Sequence, residues 1–261
     1  MLRAFSTAAT GMSAQQMMVD VTANNLANIN TNGFKRSQIE FQDLLYVKMR
    51  EAGAEVASGL VAPTGLETGS GVRAGSTTKV FTNGELVNTS RSLDIAISGE
   101  GFLQVSMPNG DTKYTRDGAL ETNADGQLVT STGYEIQPAI TIPSDATAVS
   151  IATDGSVNVT TDSGTSSVGT IQLVRFINPA GLSSDGDNLL SETEASGTAT
   201  TGTAGENGFG TIQAGFLEKS NVQMVTELVN LITAQRAYEV NSRTIKAGDD
   251  MLQNAIQIAG V

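Results

Sequence analysis

The chain of 261 residues contains no cysteine and no histidine. Those two absences remove thiol nucleophiles, imidazole bases, disulfides and nearly every zinc, copper or haem site. Tryptophan is also missing, aromatics make up 5% and charged residues 16%, against roughly 25% charged in an ordinary domain. No apolar run approaches the ~18 to 20 residues that cross a bilayer. The opening stretch Met1-Leu2-Arg3-Ala4-Phe5-Ser6-Thr7 has no continuous apolar region, so no cleavable secretory signal is expected. Only 15 Lys and Arg stand against 27 Asp and Glu, a net charge of -12, so nucleic acid is not an expected partner.

What is present is unevenly distributed. Residues 1 to 33 hold one cation, Arg3, and one anion, Asp20, while the stretch from Lys219 onward holds four of each sign. The middle therefore carries 10 cations and 22 anions, the whole of the -12, together with all five prolines. Two neutral ends flank an acidic centre.

Both ends read as helices. Phe5, Met12, Val19 and Leu26 recur every seven residues, with Leu2, Ala9 and Ala23 at companion positions, which is a heptad seam. Asn30-Thr31-Asn32-Gly33 then supplies a polar run and a helix-ending glycine, so the first helix is expected near residues 4 to 30. Met224, Leu231, Tyr238, Ile245, Leu252 and Ala259 form the matching series at the other end, reinforced by Leu228, Ala234, Ala255 and Ile256. That helix is expected over roughly 219 to 259, with Ser220 or Asn221 as its cap. It would be ~60 Å long at 1.5 Å per residue. An ordinary core stripe packed on the middle domain is one reading of these seams. The other is a set of helices packed against identical copies, which flanks rich in Gln, Asn, Thr and Ser tolerate at little electrostatic cost.

From about Gly69 to Gly215 short apolar alternations are separated by turn dipeptides, the pattern of an antiparallel domain. Phe102-Leu103-Gln104-Val105 and Lys113-Tyr114-Thr115-Arg116 flank Pro108-Asn109-Gly110-Asp111 and predict a hairpin. Residues 183 to 210, rich in Ser, Thr, Gly and Glu, are expected to be surface loops, and Gly33 to Glu67 is compatible with a helix or an extended arm. The expected fold class is α+β: long N- and C-terminal helices pairing as a coiled coil, with an all-β antiparallel middle. Its divisions are 1–33, a connecting arm 34–68, an outward-facing β domain 69–215 and a terminal helix 216–261.

Three chemical signals lack the context that would make them sites. Gly69-Ser70-Gly71-Val72-Arg73-Ala74 has the glycine spacing of a dinucleotide fingerprint, but no buried strand precedes it and no helix follows. Asp185-Gly186-Asp187-Asn188 lacks the distal glutamate of a calcium loop. Asp94, Glu100, Asp111, Asp117 and Glu121 offer acids for glycoside hydrolysis without any spacing that pairs two of them. No catalytic, cofactor-binding or metal residue is assigned, and no cofactor is expected.

Ala23-Asn24-Asn25-Leu26-Ala27-Asn28 followed by Thr31-Asn32-Gly33-Phe34-Lys35 resembles the amino-terminal signature of bacterial flagellar rod and hook subunits. The likeness continues through Leu93-Asp94-Ile95-Ala96-Ile97-Ser98-Gly99-Glu100-Gly101-Phe102, through Tyr114-Thr115-Arg116-Asp117-Gly118, and through Glu227 to Ile232 and Gln235 to Asn241. Length, Tyr46 to Val72 and Gln137 to Pro143 are most similar to the distal-rod branch; a hook subunit would be considerably longer. The resemblance implies a rigid tubular homopolymer with terminal helices inside and the β domain outside, transmitting torque in the basal body across the periplasm. It implies proximal rod and hook subunits and surrounding outer ring proteins as neighbours, export by the flagellar type III apparatus, and no enzymatic role. It also implies that Tyr46 to Val72 adds subunit contacts. Leu2, Phe5, Met12, Val19 and Leu26 on one seam, and Met224, Leu228, Leu231, Tyr238, Ile245 and Leu252 on the other, are the expected assembly positions. Asn24, Asn25 and Asn28 read either as polar residues at a helix end or as hydrogen-bonding positions that fix helix register. A proximal rod or hook-type paralogue is the near alternative, and an extracellular adhesin with helical oligomerisation arms the remote one.

Overall fold

A computed structural model of the chain describes residues 2–53, 55–57, 60–61 and 63–259, with side chains over 3–53 and 63–258. The chain divides into two compact units, each drawn from separated stretches. A helical unit combines the stretch ending at Leu26 with Ser37–Thr78 and the stretch from Met224; a β unit combines Ala27–Arg36 with Lys79–Gln223.

In the helical unit, α1 spans Leu2–Ala27 and α2 spans Met224–Ala259. Their 26 and 36 residues correspond to ~39 and ~54 Å. α1 ends at Ala27 rather than near residue 30, where the Thr31 amide turns back to the Asn28 carbonyl at 3.2 Å. α2 begins at Met224, not Lys219, because Phe216–Glu218 is consumed as a strand against Leu86–Asn88. Neither expected cap serves: the Asn221 amide group donates to the carbonyls of Val80 and Thr82, and the Ser220 hydroxyl accepts from the Val222 amide.

The undecided stretch after α1 is an extended arm. Ser37–Asp43 pairs with Val72–Lys79, Val47–Arg50 runs antiparallel to Leu66–Thr68, and Glu55–Ala57 antiparallel to Leu60–Val61. Gly71 of the fingerprint-like string serves a close approach instead of a nucleotide. Gly71 has φ +116°, a Cβ there would stand 2.2 Å from Thr10 Oγ1, and the Val72 amide donates to that hydroxyl at 3.4 Å.

The β unit is built on a nine-stranded sheet, antiparallel at every pairing in register. Its central strand, Phe102–Ser106, pairs with the expected hairpin partner Thr112–Thr115 on one side and with Glu135–Gln137 and Gln172–Arg175 on the other. A three-stranded sheet of Ala148–Ile151, Ser156–Thr161 and Gly164–Thr170 adjoins it in sequence, with an exposed turn at Asp162–Ser163.

Alternation along these strands supplies two cores. Leu103, Val105, Leu173 and Leu189 point into one cluster with Ile95, Ile97, Val157 and Ile212. Their neighbours Phe102, Val174 and Leu190 point the other way, into a cluster with Tyr114, Phe176 and Leu182. Each fully buried side chain of this size contributes about 1.5 to 3 kcal/mol of transfer free energy. Residues 183 to 210 are not loops throughout: Ser183–Gly186, Leu189–Ser191 and Thr200–Thr203 are strands, held by the burial of Leu189 and Leu190 on opposite faces.

Candidate assembly surfaces and a buried polar cluster

The two helices pair antiparallel within the helical unit. Phe5 lies against Gly248, Gly11 against Asn241 and Asn25 against Glu227, so numbers rise along one helix as they fall along the other. A Cβ at Gly248 would stand 2.8 Å from the Phe5 ring, and one at Gly11 2.9 Å from Asn241 Nδ2. Glycine inside a helix costs about 1 kcal/mol relative to alanine; here it lets the partner side chain seat itself.

Asn25 is buried and fully used inside this one chain. Its Oδ1 accepts from the Ser37 amide at 2.8 Å, while its Nδ2 donates to the Ser37 carbonyl at 2.8 Å and to Glu227 Oε2 at 3.5 Å. Of the other two motif asparagines, Asn24 is exposed, and half-buried Asn28 accepts from the Thr31 hydroxyl at 3.2 Å.

The heptad positions divide between two surroundings. Phe5, Met12, Val19 and Leu26 are half-buried on α1, where Ala8, Ala14, Thr22 and Asn25 lie innermost. Leu231, Ile245 and Leu252 are half-buried on α2 beside buried Glu227, Ala234 and Gly248. Met224, Leu228 and Tyr238 are exposed, and the side chain of Leu2 lies outside the described residues. Leu228, an expected assembly position, belongs to a second apolar row whose other members, Val225, Val229 and Ile232, carry no expectation in the sequence: the four, at i, i+3, i+4 and i+7, are all exposed. The interval was legible; the stronger seven-residue seam masked it. The arm adds Leu45, Tyr46, Met49 and Leu66, also exposed, Leu45 to 89%. Exposed apolar rows of this kind mark interaction surfaces, whether for a protein, a membrane or a ligand.

The β unit contains a buried charged cluster with no periodic signature. Glu218 Oε1 receives Lys35 Nζ at 2.6 Å and the Gly84 amide at 2.7 Å, while Oε2 receives Arg116 Nε at 3.0 Å. All three charged side chains are no more than 6% exposed. Lys35 also donates to the Thr82 carbonyl at 2.8 Å. The Arg116 guanidinium reaches the carbonyls of Ile97, Gly99 and Gly101 at 3.1, 2.7 and 3.0 Å, and Asn83 Oδ1 at 3.2 Å. Burial pushes the Lys35 ammonium below its ordinary value, and the Arg116 charge adds to that. Burial alone would raise the Glu218 carboxyl, but the Arg116 and Lys35 charges outweigh it and hold it below the usual carboxylate range.

Three separated strings therefore meet around Arg116 and Glu218. Thr31 to Lys35 supplies Lys35 and Gly33, whose φ of +68° and absent Cβ let it lie against the Arg116 backbone. Tyr114 to Gly118 supplies Arg116, and Leu93 to Phe102 supplies the three carbonyls. Asn221 completes the arrangement, accepting from the Arg36 amide at 2.8 Å and donating to the Val80 carbonyl at 2.8 Å.

Of the remaining candidate acids, Asp94 and Glu121 share one guanidinium, with Glu121 Oε1 3.9 Å from Arg91 Nη2. Asp94 is buried with Arg91 Nη1 at 3.6 Å, and its charge is the smallest of the influences on half-buried Asp117, whose carboxyl burial pushes up. Asp185 is held low by hydrogen bonds from Lys113 and Ser191 in the hairpin that was a calcium candidate. Among the described residues no group of three metal-capable side chains occurs.

Three family descriptions match the chain: "Flagella basal body rod protein" over residues 5–35, "Flagellar hook protein FlgE/F/G D1 domain" over 96–159, and "Flagellar basal body rod FlgEFG protein C-terminal" over 213–258. The chain is 48% identical to the flagellar basal-body rod protein FlgG of Caulobacter vibrioides over 98% of its length and 99% of the relative's. It is 42% identical to FlgG of Borreliella burgdorferi over 97% of both chains. The flagellar hook-basal body complex protein FlhP of Bacillus subtilis is similar at 35% identity over 97% of each.

Proposed function

This chain belongs to the flagellar basal-body rod protein family and is a structural subunit of that rod, and from that premise we propose that it builds the distal, torque-transmitting segment as a hollow homopolymer. The observation that carries the proposal is the second apolar row on α2. Val225, Leu228, Val229 and Ile232 are exposed beside a face already spent on α1. Burying them against identical copies releases water from apolar surface along the length of the helix. Tyr238 and the arm residues Leu45, Tyr46 and Met49 are further contacts of the same kind. Neutral helical ends accept close neighbours, and the acidic β unit faces outward. Expected neighbours are the proximal rod and hook subunits and the surrounding outer rings, reached by type III export.

Electron microscopy of the purified chain as its concentration rises tests this reading. Straight tubes with the helices lining the lumen are expected; a chain that stays monomeric at millimolar concentration overturns it. The position of the subunits along the axial structure, read from a map of isolated basal bodies, separates a distal from a proximal or hook-adjacent place. The latter is the reading that the likeness to a hook-basal body complex protein favours.

A further inference from the structure

We propose that Lys35, Arg116, Glu218 and Asn221 form a polar keystone that closes the β unit on itself, so that it is a finished body before the helical unit is ordered. The β unit has a gap in its sequence: residues 37 to 78, which belong to the helical unit, separate Ala27–Arg36 from the rest. Without a fastening, the ten-residue stretch would be a loose end whenever the intervening arm is unfolded.

The fastening is drawn wholly from the β unit. The hydrogen bonds described for Lys35, Arg116 and Glu218 run to Thr82, Asn83, Gly84, Ile97, Gly99, Gly101 and to one another. Main-chain bonds run alongside, from the Gly33 amide to the Glu218 carbonyl at 2.8 Å, from Val80 to Arg36 at 3.0 Å, and from Lys219 to Glu85 at 2.9 Å. The segments around Lys35, Thr82 and Glu218 adjoin three of the places where the chain passes between units, and the cluster binds all three together.

Charge makes this a selective fastening. Each Glu218 oxygen is committed to a different cation, and removing one partner would leave a buried charge uncompensated, which is far more costly than losing a surface pair. A slip of one residue in Phe216–Glu218 would also turn Glu218 to the opposite face of its strand. Only one register of three distant segments satisfies the group. The strings that carry the family likeness around Lys35, Arg116 and Gly101 thus encode closure of the β unit, while contacts between copies lie elsewhere. For an assembling subunit, and here the inference rests on the rod reading, the β unit closes by itself while the apolar helices wait for neighbours.

Hydrogen exchange of the dilute, full-length monomer tests the keystone independently of polymerisation. The amides of Gly33, Val80, Gly84 and Lys219 should be protected to the level of core strand Phe102–Ser106, while Val47–Arg50 and the end of α2 exchange at least a hundredfold faster. Glu218→Gln should lower protection at those four amides at least tenfold and leave Leu103 and Val105 unchanged. If Glu218→Gln unfolds the whole unit, Asn221→Ala, which strands no charge, should still accelerate Val80 and Arg36 selectively. Exchange of Gly33 and Gly84 as fast as the arm in the unaltered chain, or no effect of either substitution, overturns the proposal. Failure to form tubes would sink the rod reading and leave this one standing.

Discussion

Glu218 ties stability to pH with a definite sign. Its carboxyl is held below the usual range in the folded β unit, so the fold releases its proton more readily than the unfolded chain does. The resulting stabilisation is fully present above the ordinary carboxylate value and is lost as pH falls through the lowered one. Urea denaturation of the full chain should show a stability that declines on acidification, and Glu218→Gln should flatten that decline while lowering the plateau. Asp117 contributes with the opposite sign, because its raised carboxyl favours the fold when protonated. Glycine positions separate by what a methyl group would meet. At Gly33 a Cβ meets Arg116 backbone at 2.7 Å with φ at +68°, so Gly33→Ala should cost ~1 to 3 kcal/mol of β-unit stability in the same measurement. At Gly11 it meets the movable end of Asn241, so Gly11→Ala should stay within ~1 kcal/mol, helix propensity offsetting the crowding.

At the scale of the element, α2 presents two faces with different duties. Ala234 is fully buried on the face toward α1, whereas Ile232 is exposed on the other. Ile232→Lys should leave the thermal melting of the monomer within the scatter of ordinary surface changes and abolish tubes. Ala234→Lys should weaken the pairing of α1 with α2 by several kcal/mol wherever that pair is formed, and leave the β unit's melting unchanged, because it places an ammonium in a closed helix contact. Tubes formed by Ile232→Lys at the usual concentration would remove that face from the interface. The helices themselves were legible because their apolar positions repeat locally every seven residues. The central hairpin was legible because Asn109-Gly110 sits between two alternating runs. Lys35 and Glu218 left no such trace: they are 183 positions apart and meet only through the fold. Leu189 and Leu190 were hidden in another way, two apolar residues within a Ser/Thr-rich stretch whose composition reads as loop. Asn25 carries two readings in the sequence, polar at a helix end or hydrogen-bonding for register; its contact with Glu227 lies between the two expected helices, whereas its bonds to Ser37 reach a stretch the sequence leaves open.

For the whole molecule, the separation of charge from apolar surface predicts how assembly responds to salt. Most of the -12 belongs to the β unit, so neighbouring β units repel while the nearly neutral helices do not. Screening shortens to about 10 Å at 0.1 M ionic strength. The critical concentration for tubes should therefore fall several-fold between ~10 and ~150 mM monovalent salt; light scattering measures it, and an unchanged value would assign the acidic surface no part in assembly. The exposed hairpin turn at Asp162–Ser163, together with the complete lack of native thiols, has a practical consequence. Ser163→Cys would be the chain's sole sulfhydryl, so a maleimide dye would mark every copy once, at one known spot, and the brightness of a growing structure would count its members as they are added.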